Sequence, residues 1–171
     1  MKIVIAPQAF KGSISALDAA HAMEAGMKAA VPDVETVLVP IADGGDGTLE
    51  TLVEVSDGRV ETIRVTGPLG KKVDAEWGAM GNGRTAVIEM ARTSGLVLLK
   101  PKELDARKAT TYGLGEAIRG ALEAGYRHFI IGIGGSATND AGAGMAQALG
   151  AKLLDASGDE LDRGGAALEK L

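Results

Sequence analysis

At 171 residues with 46% hydrophobic residues, the chain holds enough material for one ordinary domain with a buried core, or for one domain carrying an insertion. Aromatic residues make up 3% and cysteine is absent, so the core must be aliphatic and neither disulfides nor thiolate chemistry is available. A formal charge of -5, with basic residues scattered singly, excludes the footprint of a protein that binds nucleic acid or an anionic membrane; no apolar run is long enough to span a bilayer, and a cytoplasmic protein is expected.

In chain order, residues 2–6 form a short β-branched run closed by Pro7 and read as a buried strand. Ser15 with Asp18 makes a capping box for a helix that repeats Ala16, Ala20, Met23, Met27 and Ala30 before Pro32 stops it. A second strand over residues 36–40 runs into Ile41-Ala42-Asp43-Gly44-Gly45-Asp46-Gly47-Thr48. This loop places Asp43 and Asp46 at a strand's carboxyl end, where open α/β sheets bind ligands. The two carboxylates can present oxygens to Mg²⁺; the alternative is a plain turn with Asp46 as the cap of a helix starting near Thr48.

From Arg59 the period changes to two. Residues 60–65, 73–77 and 85–90 alternate and are separated by Gly67-Pro68-Leu69-Gly70 and Gly81-Asn82-Gly83, which predicts an antiparallel meander with Val73, Ala75 and Trp77 on its buried face. A helix opens at Thr110-Thr111-Tyr112-Gly113 and stops at Gly125. Residues 151–154 read as one more strand. The fold class is therefore α/β: a Rossmann-like parallel sheet domain over residues 1–58 and 105–171, with an inserted, mostly antiparallel α/β domain over residues 59–104.

The stretch from Phe129 to Asp140 reads as strand, glycine turn and helix start. Gly132, Gly134 and Gly135 permit positive φ and close approach of a ligand, and a helix N-terminus favours an anion. Ser136, Thr138, Asn139 and Asp140 in the first helical turn suit a polyol or a metal; the plainer reading makes Ser136 or Thr138 the cap and Asp140 a dipole partner. The run also fits G-x-G-x-x-A, with Asp155 near the place of a ribose-binding acid, so an NAD-type dinucleotide site is an alternative. Lys11 follows a strand end and can meet a carboxylate or phosphate. Glu89 closes the meander and faces either the cleft or a salt bridge, while His21 and His128 have no partners in sequence and read as structural.

Residues 5–13, 42–48, 65–70, 86–91, 110–113 and 131–140, in that order, closely resemble the N-terminal half of type 1 glycerate kinases. The resemblance implies ATP- and Mg²⁺-dependent phosphorylation of D-glycerate, usually to 2-phosphoglycerate. It makes Lys11, Asp43 and Asp140 catalytic candidates, with Asp43 and Asp46 for the metal. Gly134, Gly135, Ser136, Thr138, Asn139 and Glu89 become substrate-binding candidates. The family carries Asp-Ser where this chain has Gln8-Ala9, Glu at Asp46 and small residues at Arg92-Thr93. Its chains are about twice as long, so the 171 residues are expected to be inactive alone and to self-associate; a non-catalytic small-acid-binding or assembly module is the alternative.

Overall fold

The computed structural model describes residues 1–10 and 13–171. Two sheets organise them. Strands β1 (Lys2–Ile5) and β2 (Glu35–Leu38) pair in parallel, with Lys2 opposite Glu35, and are joined by helix α1 (Ala16–Ala30). The α1 capping box forms as the sequence indicates: Ser15 Oγ accepts the Asp18 N–H at 3.0 Å, and the two side chains bond at 2.7 Å. Only the first turns of α1 are buried, through Ala16, Ala19 and Ala20, while Met23 and Met27 remain exposed.

The second sheet has the order β3-β4-β5-β6, formed by Arg59–Thr66, Lys72–Ala79, Thr85–Glu89 and His128–Gly132. Its first three strands are the antiparallel meander. Strand β6 lies parallel to β5 with Glu89 opposite Gly132, so the strand feeding the glycine turn belongs to the same sheet as the meander. Between β5 and β6 the chain passes through α3 (Met90–Ser94), two short 3₁₀ turns and α4 (Tyr112–Glu123).

Period-two alternation explains how this sheet is covered on both sides. Ala86 and Ile88 on β5 join Val65, Ala75 and Trp77 in packing against Leu114 and Ile118 of α4. Val87 points the other way, onto Leu49 and Val53 of α2 (Thr48–Val55). Trp77 and Tyr126 meet edge to face, with ring centroids 5.2 Å apart. Gly78 marks where α2 presses on the sheet, since a Cβ there would lie 2.3 Å from Val53 Cγ2. The polar face expected for the meander survives at Lys72 and Asp74 and ends where α2 covers Gly78.

Two expectations are corrected. Residues 151–154 form no strand: their pairing is a local turn, with Leu161 N–H to Leu153 O at 2.8 Å and a single bridge between Leu154 and Glu160. Asp155 closes that turn, its Oδ1 accepting the Ser157 and Asp159 N–H groups. Nor does a helix follow the glycine turn. Helix α5 (Ala143–Ala148) starts only after Ala141 and Gly142, whose φ angles of 52° and 77° interrupt right-handed helix. Ser136 Oγ and the Asp140 carboxylate take up the N–H groups of Thr138, Gly142 and Gly144, a local alternative to helical pairing.

Candidate functional site

Two loops leave the carboxyl ends of strands from different sheets and lock together. The first, residues 39–47, follows β2; the second, residues 133–142, follows β6. Gly134 N–H donates to Gly44 O at 2.9 Å. A Cβ on Gly132 would lie 2.6 Å from Gly44 O, and one on Gly134 would lie 2.7 Å from Gly45 Cα. These glycines are thus required by the neighbouring backbone. Of the three, Gly135 adopts positive φ, at 69°, and a Cβ there would stand 3.6 Å from Asp46 Oδ1.

Between the loops and the start of α1 lies a cleft of about 590 Å³. Gln8, Asp43, Asp46, Glu50, Arg92 and Gly135 are among its walls. Asp43 is exposed, and its Oδ1 accepts the Gly45 N–H at 2.9 Å, leaving Oδ2 for a ligand. Asp46 is exposed as well and lines a second pocket of about 390 Å³ beside the first. It does not cap α2: that position is Gly47, with φ 91° and no side-chain cap. Thr48 Oγ1 instead accepts the Gly44 N–H at 3.0 Å, folding the loop back on the helix.

Glu89 supplies the missing cap from a distance in sequence. Its side chain is 1% exposed; Oε1 accepts the Leu49 N–H at 2.8 Å and Oε2 the Arg92 Nε–H at 2.8 Å. Of its two sequence readings the structure shows the salt bridge, with both oxygens engaged inside the protein, while the residue also lines the 390 Å³ pocket. Arg92 also pairs with Glu50 on α2 and Glu76 on β4. Burial works against its charge, but hydrogen bonding to Glu89 and attraction to Glu50 outweigh that and hold the guanidinium pKa above its ordinary value.

Asp140 is likewise engaged by the protein. It is 1% exposed, and its Oδ2 accepts the Thr111 N–H at 2.8 Å, the Thr111 hydroxyl at 3.0 Å, the Gly144 N–H at 3.2 Å and the Thr110 hydroxyl at 3.4 Å, while Oδ1 accepts the Gly142 N–H at 3.1 Å. It fastens the start of α4 to α5 and is not on the cleft wall. Ser136 and Thr138 bond to each other at 2.7 Å, and Gly165 packs against Asn139 O; none of Ser136, Thr138 and Asn139 lines the cleft. Gly134 and Gly135 both line the cleft, with the Gly134 N–H spent on Gly44 O. Lys11 lies outside the described residues.

Among the described residues no three His, Asp or Glu side chains converge as a metal cluster. Two exposed loop carboxylates are nevertheless a fitting donor set for Mg²⁺, which keeps several waters and takes one or two carboxylates together with substrate phosphates. The dinucleotide reading does not fit, because the Gly44–Gly45 backbone fills the space against Gly132 and Gly134 that a pyrophosphate would need. No helix among the described residues is long and apolar enough to cross a membrane.

A model of the glycerate kinase family matches residues 3–171, and the chain belongs to that family. It is 55% identical over 171 residues to the glycerate kinase of Bacillus subtilis strain 168 and 53% identical to the glycerate 2-kinase of Escherichia coli K12; each match takes in 100% of this chain and 45% of the relative. The crystal structure of a candidate glycerate kinase 2 from Salmonella typhimurium LT2 superposes with a TM-score of 0.88 at 54% identity, covering 100% of this chain and 46% of that one. The chain therefore spans about half the length of the relatives it matches.

Proposed function

We propose that this chain forms the acceptor side of a glycerate kinase that moves the γ-phosphoryl group of ATP to a hydroxyl of D-glycerate, giving 2-phosphoglycerate. The observation that carries the reading is the cleft between the interlocked loops: in a chain of this family, it presents Asp43 and Asp46 with carboxylate oxygens not taken up by the protein core. Phosphoryl transfer is mostly positioning and charge stabilisation, which is what such a cleft can supply. Asp46 with Asp43 would hold Mg²⁺, which when bound offsets the charge of the phosphate oxygens. Asp43 takes the proton of the attacking hydroxyl as the new oxygen–phosphorus bond forms. The bond from the γ-phosphorus to the bridging oxygen breaks, and its electron pair leaves with ADP. Lys11 is proposed to meet the substrate carboxylate or the transferring phosphoryl group. The two-part division into residues 1–58 with 105–171 and residues 59–104 is kept as a proposal, with the β5–β6 pairing as the seam.

The test compares the 171 residues with a fusion of them to the second half of the B. subtilis relative. The chain alone should bind D-glycerate in calorimetry but release no ADP; the fusion should turn over, and Asp43→Asn should lower its kcat by about 100-fold or more. Absence of both glycerate binding and turnover overturns the reading, as does unchanged turnover in the Asp43→Asn fusion.

A further inference from the structure

We propose that Arg92 is the anion-recognising residue of this cleft and that Glu50 and Glu76 are placeholders occupying its guanidinium until an anionic substrate group displaces them. The inference rests on the glycerate reading only for the identity of the anion. Its ground is the inequality of the three carboxylates around Arg92. Glu89, with its side chain 1% exposed, is almost wholly buried and is itself held by the Leu49 N–H. It grips Nε, fixing the plane of the guanidinium. Glu50 and Glu76, which take the two terminal nitrogens, have side chains 53% and 46% exposed. Exposed ion pairs contribute little and exchange readily with water or another anion, whereas the buried pair cannot be broken without stranding a charge.

The position of Arg92 gives the arrangement a use. Its side chain lines both the 590 Å³ cleft and the adjoining 390 Å³ pocket, together with Asp46. The other charged walls of these spaces are carboxylates, Asp43, Asp46 and Glu50 on one side and Asp74, Glu76 and Glu89 on the other, so among the described lining residues Arg92 supplies the positive charge. A guanidinium fork matches a carboxylate through two parallel N–H···O bonds, and the two terminal nitrogens are those whose present partners are solvent-exposed. A short hydroxy-acid carboxylate is the class of group this site would take.

Calorimetry on the 171-residue chain in Mg²⁺ buffer, with D-glycerate and D-lactate as probes, tests the inference through variants of opposite sign. The Glu50→Gln/Glu76→Gln chain should bind D-glycerate about threefold more tightly than the parent. Arg92→Lys keeps a charge for Glu89 but loses the fork, and should bind about tenfold more weakly. A purely structural ion network predicts no gain from removing its acids. Equal or weaker binding by the double variant, unchanged binding by Arg92→Lys, or no binding by any chain overturns the inference. If D-glycerate binds and none of the three positions matters, Arg92 falls and the glycerate reading stands. If D-lactate binds as tightly as D-glycerate with the same ordering of variants, Arg92 stands and the glycerate reading falls.

Discussion

Asp43 and Asp140 both lie on glycine-bearing loops at the ends of parallel strands and look alike in sequence, yet the fold treats them oppositely. Asp140 accepts hydrogen bonds from five donors across Thr110, Thr111, Gly142 and Gly144 and is shut away from solvent. Asp43 accepts one backbone N–H and stands at the cleft wall. A carboxylate whose lone pairs are filled by the protein holds elements together; one left with open acceptor capacity can serve a ligand. The difference lies in what surrounds each turn. Asp140 is met by the start of α4, which brings two threonines and a backbone N–H, while among the described residues the hydrogen bond to Asp43 comes from its own loop.

The largest effect expected from this contrast is on stability. Asp140→Ala strands three backbone N–H groups and two hydroxyls in the interior and should cost about 3 kcal/mol or more; Asp140→Asn keeps one acceptor oxygen and should lose about 2 kcal/mol. Asp43→Asn should stay within about 0.5 kcal/mol of the parent. Urea unfolding of the three variants measures the ordering, and equal losses at Asp43 and Asp140 would remove the distinction. Next in size is Gly134→Ala. Its methyl group would press on Gly45 Cα from 2.7 Å, so either the two loops separate or the backbone shifts, for about 2 kcal/mol. A parent-like unfolding midpoint for this variant would mean that the loops are not interlocked.

These contrasts show how far the sequence can be read. Short-range pattern is legible: Ser15 and Asp18 form their capping box, the meander turns where its Gly-Pro and Gly-Asn-Gly segments say, and Val73, Ala75 and Trp77 share the core face. What is not legible depends on contacts far apart in sequence. Glu89 caps a helix 40 residues earlier, and Asp140 meets threonines about 30 residues before it, so neither role leaves a local mark. The glycines at Gly132 and Gly134 look like room for a phosphate until Gly44 and Gly45 are seen to fill it. Arg92 had a local signal that was available, a Glu-x-x-Arg spacing at the junction of a strand and a helix, but Glu50 and Glu76 come from α2 and β4 and complete the network only in three dimensions.

Glu116 supplies the finest gradation, because it stands between the two aspartates. It lies on α4 and is mostly buried; one oxygen accepts the Thr66 N–H and the other the Lys72 ammonium at 2.9 Å. Burial tends to raise its pKa, but the hydrogen bonds from Lys72 and Thr66 together outweigh that and hold the carboxyl below its ordinary value. A carboxyl with a depressed folded pKa adds stability above its unfolded value, near 4.5, and that contribution disappears as the pH falls through the lower folded value. Unfolding free energies of the parent and of Glu116→Gln should therefore differ most above about pH 5 and converge in more acidic solution. Lys72 is half-exposed, so solvent screens the pair and the pH-dependent part should stay under about 1 kcal/mol. Asp140 fills its acceptors with neutral donors from the protein interior, and Asp43 leaves most of its capacity open. Glu116, filled by one backbone group and one exchangeable lysine, should show an intermediate loss that grows with pH. A difference that grows on acidification, or that is flat across the range, would show that the Lys72 bond does not govern its charge.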